Sequence, residues 1–248
     1  MKHYQVFGGT TPHMKNNELM SPESWDTLRA EHPFFSIPAT REEWVKVSEL
    51  MVTKDGQDKE LPERARDITT LIQQHRFSRV FSVGVGGAAL EYQLKKAMPM
   101  LPLVCAHYSA KTVETRRNVF MEADNIIEFD ILKGDWKNVG KNYIGDDGLL
   151  IMYRIDASLS DSEWRTLFER VAKAGIKNVL VIPTGMLTML SVYNRKSREV
   201  KWFFNQTPIV WSGYVRTKKK FQQFWHSRYT EEMHTLGGLK SFLLSKKQ

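Results

Sequence analysis

Apolar positions along this chain change their spacing near residue 77. Before that point they recur at helical intervals. Trp44, Val47, Leu50 and Met51 share one face of a segment opened by Thr40, with Glu43 three residues on, a capping-box pattern that predicts a helix. The polar stretch "KDGQDKELP" reads as a loop, and "PERARDITTLIQQH" as a second helix with Ile68, Leu71 and Ile72 inward. Residues 1–40 are punctuated by Gly8-Gly9, Pro12, Pro22, Pro33 and Pro38, with one helix start predicted at "SPESWDTLRAEH".

From Phe77 onward, short apolar runs alternate with amphipathic ones. "RVFSVGV", "LPLVCAH", "NIIEFDI", "DGLLIMYRI" and "KNVLVIPT" read as strands. "AALEYQLKKAM", "SAKTVETRRNVFM" opened by Ser109, and "SDSEWRTLFERVAKAG" stopped at Gly175 read as helices. Strands that are apolar almost throughout are buried on both faces, so the five predict a parallel sheet covered by helices. At the end, "SRYTEEMHTLGGLKSFLLSKK" holds two β-type runs around Gly237-Gly238, a hairpin signal. The expected fold is α/β: a doubly wound, mostly parallel seven-stranded sheet with a C-terminal antiparallel hairpin, plus N-terminal helices. Residues 1–64 are expected to form a helical and irregular cap, and 65–248 a Rossmann-like domain with a basic aromatic insertion at about 186–228.

Composition narrows the class. The 248 residues are 42% hydrophobic, enough for one well-buried core. No apolar run is long enough to span a membrane, and the N-terminus lacks the continuous apolar stretch of a secretory signal. A single cysteine, Cys105, rules out an internal disulfide framework and fits a reducing, cytoplasmic setting. The seven histidines are scattered, so no metal site is expected. The net charge is +8, and the stretch from Met186 to Arg228 carries all of it, with nine basic residues against Glu199. Such a segment attracts anions, either nucleic acid or an acidic small molecule, or it is simply a solvated basic face. Tyr193, Trp202, Phe203, Phe204, Trp211, Tyr214, Phe221, Phe224 and Trp225 are interleaved with those bases. They suit stacking on bases, or the core of a helical cap.

The candidate chemistry begins in "VFSVGVGGAALEYQL", residues 80–94. Gly84 lets the chain leave its strand in a conformation closed to residues with a Cβ. Gly86 and Gly87 remove side chains where a ligand would sit, and the following helix aims free N–H groups at that place. A parallel sheet binds ligands at the carboxyl ends of its strands. Four such ends line one crevice: Ser82–Gly87, His107 with Tyr108, Asp130 with Ile131, and Tyr153-Arg154 leading to Asp156.

On these residues the chain, from about Ala65 to Lys247, resembles a class I S-adenosylmethionine-dependent methyltransferase. "SVGVGGA" stands where that superfamily has an acid and a glycine-rich turn, "AHYSAKTVETRR" at its second strand end, and "FDIL" at its third. The final "GGLKSFLL" resembles its reversed last strand. The resemblance implies that S-adenosylmethionine is held by Ser82, Gly84, Val85, Gly86, Gly87, His107, Tyr108, Asp130, Ile131, Tyr153 and Arg154. Asp130 would reach the adenine amino group, and Arg154 the methionine carboxylate or an anionic substrate. Asp156, Tyr153 and His226 are the candidate bases for an oxygen nucleophile.

Two departures stand out. Ser82 replaces the acid expected before the glycines, and His107 the acid expected to bridge the ribose hydroxyls. A neutral imidazole has one acceptor nitrogen where a carboxylate accepts from both hydroxyls. The same residues therefore also admit a non-catalytic binding module of this fold. The basic segment at 195–228 admits an RNA-directed methyltransferase. Read as G-x-G-x-x-A, with His107 and Lys111 near a 2′-phosphate, the turn admits an NADP-dependent oxidoreductase. No Asn-Pro-Pro-Tyr-like segment follows the fourth strand, which lowers planar amino groups as acceptors. The leading expectation is a methyltransferase for a small or anionic molecule.

Overall fold

A computed structural model describes residues 3–6, 38, 40–50, 60–194, 196–197 and 213–247. The helix expected at "SPESWDTLRAEH", and the aromatics Trp25, Phe34, Phe35, Trp202, Phe203, Phe204 and Trp211, lie outside the described residues.

In chain order the elements are β1 (His3–Val6), α1 (Arg41–Leu50), α2 (Leu61–His75), β2 (Val80–Val83), α3 (Ala89–Ala97), β3 (Leu103–His107), α4 (Ala110–Val119) and β4 (Asn125–Glu128). They continue with α5 (Trp136–Val139) and a wider turn at Gly140–Ile144, then β5 (Leu149–Tyr153), α6 (Asp161–Lys173) and β6 (Asn178–Ile182). The chain closes with β7 (Gly213–Arg216), α7 (Lys218–Trp225), β8 (Tyr229–Leu236) and β9 (Leu239–Lys246). Seven strands form one sheet in the order β4-β3-β2-β5-β6-β9-β8. The first five are parallel, and β9 runs antiparallel to both β6 and β8. The sheet expected from the apolar pattern is therefore present, hairpin included.

Its inner strands β2, β5, β6 and β9 are largely apolar on both faces because each feeds two cores in alternation. Val80, Leu149, Ile151, Leu180 and Leu243 face the side covered by α2 and α3. Phe81, Val83, Leu150, Met152, Val179, Val181 and Phe242 face the side covered by α6 and α7. Local signals set the helix ends. Ser109 accepts from Thr112 N at the start of α4, and Ser160 and Glu163 form a reciprocal capping box on α6. Gly175, at φ +81°, ends the α6 segment.

One expectation is corrected, and one alternative is decided. A boundary between residues 64 and 65 falls inside α2, a single helix that buries Leu61, Arg64, Ala65, Ile68, Leu71 and Ile72. Leu61, Ile68, Leu71 and Ile72 each contribute roughly 1.5–3 kcal/mol when fully buried, so α2 belongs to the sheet domain along its whole length. The end of the proposed insertion is also regular structure. Phe221, Phe224 and Trp225 of α7 are buried against Trp164, Phe168 and Phe242. These three aromatics are core, not a stacking surface. The short β1 pairs antiparallel with β7, Tyr4 opposite Val215.

Candidate functional site

Strand register puts the candidate residues on one rim. Val83 of β2 lies beside Ala106 of β3 and Met152 of β5, so Gly84, His107 and Tyr153 come next at the same level. A small open cavity of about 110 Å³ lies there, bordered by Val83 to Glu91 together with Leu61, Tyr153 and Arg154.

The three glycines have different reasons to be glycine. Gly84 has φ +73°, and a Cβ on it would lie 2.3 Å from Ile155 Cγ2, so the fold itself demands it. A Cβ on Gly86 or Gly87 would meet nothing within 4 Å. Their bare backbone borders open space, as a ligand-facing turn requires. Ala88 is the residue before α3 and takes the left-handed conformation, φ 57°.

Beneath the turn, Ser82 is fully buried and donates to Glu91 Oε1 at 2.6 Å. Burial pushes the Glu91 carboxyl above its usual range, against the opposing pull of the Ser82 bond and the Arg116 charge. An acid is therefore present one layer below the position where the sequence lacks it, supplied by α3 and not by β2. The turn is also gripped through its carbonyls. Arg116 Nε donates to Gly86 O, and Trp44 Nε1 to Gly87 O, each at 3.0 Å. Glu91, Arg116 and Trp44 escaped the sequence reading. Glu91 lies within the helix after the turn and Arg116 within α4. Trp44 is 43 residues upstream of Gly87, where periodicity marks only a core position.

Of the residues expected to touch a cofactor, Gly84, Val85, Gly86, Gly87, Tyr153 and Arg154 border the cavity, and Ser82, His107, Tyr108, Asp130 and Ile131 do not. His107 is buried, and its Nδ1 accepts from Ser109 N at 3.0 Å. That bond makes Nδ1 unprotonated, so the neutral ring carries its proton on Nε2 and acts there as a donor. It cannot replace a carboxylate that accepts from two hydroxyls. Asp130 turns its Oδ1 back onto Leu132 N (2.8 Å) and Lys133 N (3.2 Å), closing its own turn. Ile131 is held beside it, its carbonyl accepting from Trp136 Nε1 at 2.8 Å.

The candidate bases separate. Tyr153 is on the rim, and its hydroxyl oxygen accepts from Arg64 Nη1 at 3.0 Å. Arg154, exposed and at φ 56°, lies beside the Tyr153 ring. Asp156 is 2% exposed, and its Oδ1 is held by Thr184 N (2.7 Å) and Thr184 Oγ1 (2.9 Å). Burial raises its carboxyl above the ordinary range, the Thr184 bonds opposing. This is the work of a strut between the ends of β5 and β6, not of a base facing a substrate. His226 is at the wrong end. It follows α7, and its carbonyl accepts from Lys247, whose neighbour Lys246 bonds to Lys177 just before β6. That is the amino-terminal edge of the parallel strands, opposite the glycine rim.

The basic segment is partly internal. Arg216 is fully buried, pairs with Asp161 at 2.8 Å and donates to the carbonyls of Asp156 and Leu159. Lys220 pairs with the same Asp161 at 2.7 Å. Burial pushes the Asp161 carboxyl up, but the bonds from Lys220 and Arg216 outweigh it and hold it below the usual range. Lys218 and Lys219 are exposed.

Sheet order, the antiparallel closing strand and the glycine turn at the central rim together define the class I S-adenosylmethionine-dependent methyltransferase fold. Solved structures share it. Human N-acetylserotonin methyltransferase in complex with SAM is similar at a TM-score of 0.54 and 17% identity, over 74% of this chain and 51% of that one. The pyocyanin biosynthetic protein PhzM is similar at 0.53 and 16%, over 72% and 54%. Magnesium protoporphyrin IX methyltransferase from Synechocystis, with bound SAM, is similar at 0.53 and 9%, over 96% and 100%. This chain spans about half the length of the first two proteins. No family model matches the sequence, and no curated protein matches it. Among the described residues, no helix is long and apolar enough to cross a membrane.

Proposed function

We propose that this protein is an S-adenosylmethionine-dependent methyltransferase acting on a small or anionic molecule. The observation that carries the reading is the bare main chain of Gly86 and Gly87 over open space at the central strand end, in a sheet of this order. The residues at the cavity suit the cofactor. Gly84 to Gly87 would hold it along the turn, and Tyr153 and Arg154 would meet its carboxylate or an anionic acceptor. When bound, its sulfonium supplies an electrophilic methyl group, so the protein's task is to align a nucleophile and keep water away. Tyr153 is the one candidate base at the cavity, its hydroxyl oxygen held in place by the Arg64 guanidinium. The buried Arg64 is anchored on Leu236 O and Gly237 O and pairs with Glu60 at 3.8 Å, so the exposed Arg154 is the rim cation that favours an acidic acceptor.

A second reading has an observation in its favour. His107 offers a donor where the ribose needs an acceptor, and Asp156 is committed to Thr184. A binding module without turnover fits both facts. RNA as the acceptor is weakened, because Arg216 and Lys220 spend their charge on Asp161.

Titration calorimetry with S-adenosylmethionine and S-adenosylhomocysteine tests the proposal. Saturable heat with both, together with methyl transfer to an acidic acceptor in a labelled-methyl screen, is expected. Heat without transfer to any acceptor supports the binding module, and no heat with either ligand refutes both.

A further inference from the structure

The glycine turn is held from outside the sheet, by α1 and α4. Trp44 and Arg116 are each 1% exposed, and each spends an N–H on a carbonyl of the turn. They also touch one another, the Arg116 guanidinium lying 5.9 Å from the Trp44 ring centre. The indole is wedged between Tyr92 and Phe120, at 5.1 Å from each ring, so it cannot swing off the turn without moving a packed core. The helix carrying it is pinned in turn. Arg41 donates to Val119 O at 2.9 Å and pairs with Glu122, and Lys96 pairs with Glu49 at 3.0 Å.

These bonds have a consequence for the other face of the turn. In a trans peptide the C=O and the following N–H point in opposite directions. Drawing the carbonyls of Gly86 and Gly87 toward Arg116 and Trp44 directs the N–H groups of Gly87 and Ala88 away from α1 and α4. No backbone acceptor among the described residues takes either N–H.

We infer that Trp44 and Arg116 are positioning residues that set the peptide planes of residues 86–88 before ligand arrives, which makes α1 part of the binding machinery. The inference rests on reading the turn as a ligand-binding site. It assigns α1 a role beyond covering the crevice: its docking decides how tightly the turn binds. A preset turn loses less freedom on binding than a mobile one, and the gain appears as affinity.

The variant Trp44→Phe keeps a ring in the wedge and removes the donor. Arg116→Lys keeps the charge and removes Nε. Amide order parameters of Gly86, Gly87 and Ala88 are read in the ligand-free protein, and S-adenosylhomocysteine affinity by calorimetry. In the parent protein these amides are expected near the rigid value of about 0.85, falling below about 0.6 in either variant. Affinity is expected to fall roughly tenfold, the scale of one lost hydrogen bond. The exposed Lys173→Ala, in the last turn of α6, leaves both unchanged. Order parameters and affinity both unaltered in Trp44→Phe and Arg116→Lys would overturn the inference. So would equal loosening of α6, on the opposite face of the sheet, which marks a merely structural role. A parent protein that takes up no S-adenosylhomocysteine removes the ligand reading of the turn, while the order parameters still decide whether Trp44 and Arg116 set it.

Discussion

Alanine substitutions at Gly84, Gly86 and Gly87 separate the demands of the fold from those of a ligand. At Gly84 the φ of +73° costs an L-residue about 1–2 kcal/mol. The new Cβ would also lie 2.3 Å from Ile155 Cγ2, a branched side chain packed against the core, and relieving that overlap adds about 1–3 kcal/mol. Gly84→Ala should therefore lose about 2–5 kcal/mol, a large share of the 5–15 kcal/mol that holds a typical domain together. Gly86→Ala and Gly87→Ala meet no atom within 4 Å and have no positive φ to strain. Their stability should be unchanged, or raised by about 0.4–1 kcal/mol through a less flexible unfolded chain. If the open space is where a ligand lies, the same two variants should weaken S-adenosylhomocysteine binding at least about tenfold, or 1.4 kcal/mol. Urea denaturation monitored by Trp fluorescence gives the stabilities, and calorimetry the affinities. A stable Gly84→Ala would refute the steric argument. Parent-like affinity in both Gly86→Ala and Gly87→Ala would refute the assignment of the open space to a ligand.

Three further outcomes follow from the buried and exposed charges. Because burial raises the Glu91 carboxyl, the folded protein holds that proton more tightly than the unfolded one. Its stabilising contribution is therefore complete below the ordinary carboxylate range and is lost as pH rises through the raised folded value. Glu91→Gln lacks that loss, so its stability relative to the parent should climb across that window in pH-dependent denaturation, and a flat difference would contradict the raised value. Asp156→Ala should lose roughly 2–4 kcal/mol of stability, the two bonds from Thr184 being gone; a variant of parental stability that no longer transfers methyl would restore Asp156 as the base. Lys218 and Lys219 are exposed in the first turn of α7, where cations oppose the helix dipole. Replacing both with alanine should raise the melting temperature slightly and leave small-molecule binding intact, whereas a parallel loss of salt-dependent RNA binding would revive RNA as the acceptor.

The sheet was legible because its signals are local. Apolar runs such as Leu149–Met152 need no partner to be read as buried strands, and Ser109, Ser160, Gly175 and Gly237-Gly238 mark their boundaries within a few residues. The turn at Gly84 was legible for the same reason. What escaped depends on contacts that a single strand or helix does not encode. Asp130 looks wholly available at a strand end, yet its own downstream N–H groups take its Oδ1. His107 looks able to accept from a ribose hydroxyl until Ser109 N takes its acceptor nitrogen. His226 was misplaced because the chain crosses to the opposite edge of the sheet after α7, a fact of topology and not of spacing. The aromatics of α7 suit either a stacking surface or the core of a cap by composition, and the facing Trp164 and Phe168 decide for core.

A crystal structure of the protein grown with S-adenosylhomocysteine tests the central claim most directly. Density the size of an adenosyl group lying over Gly84 to Gly87, within hydrogen-bonding reach of Gly87 N or Ala88 N and bordered by Tyr153 and Arg154, is the predicted result. Saturating ligand that leaves this turn bare, or that binds elsewhere on the molecule, would contradict it.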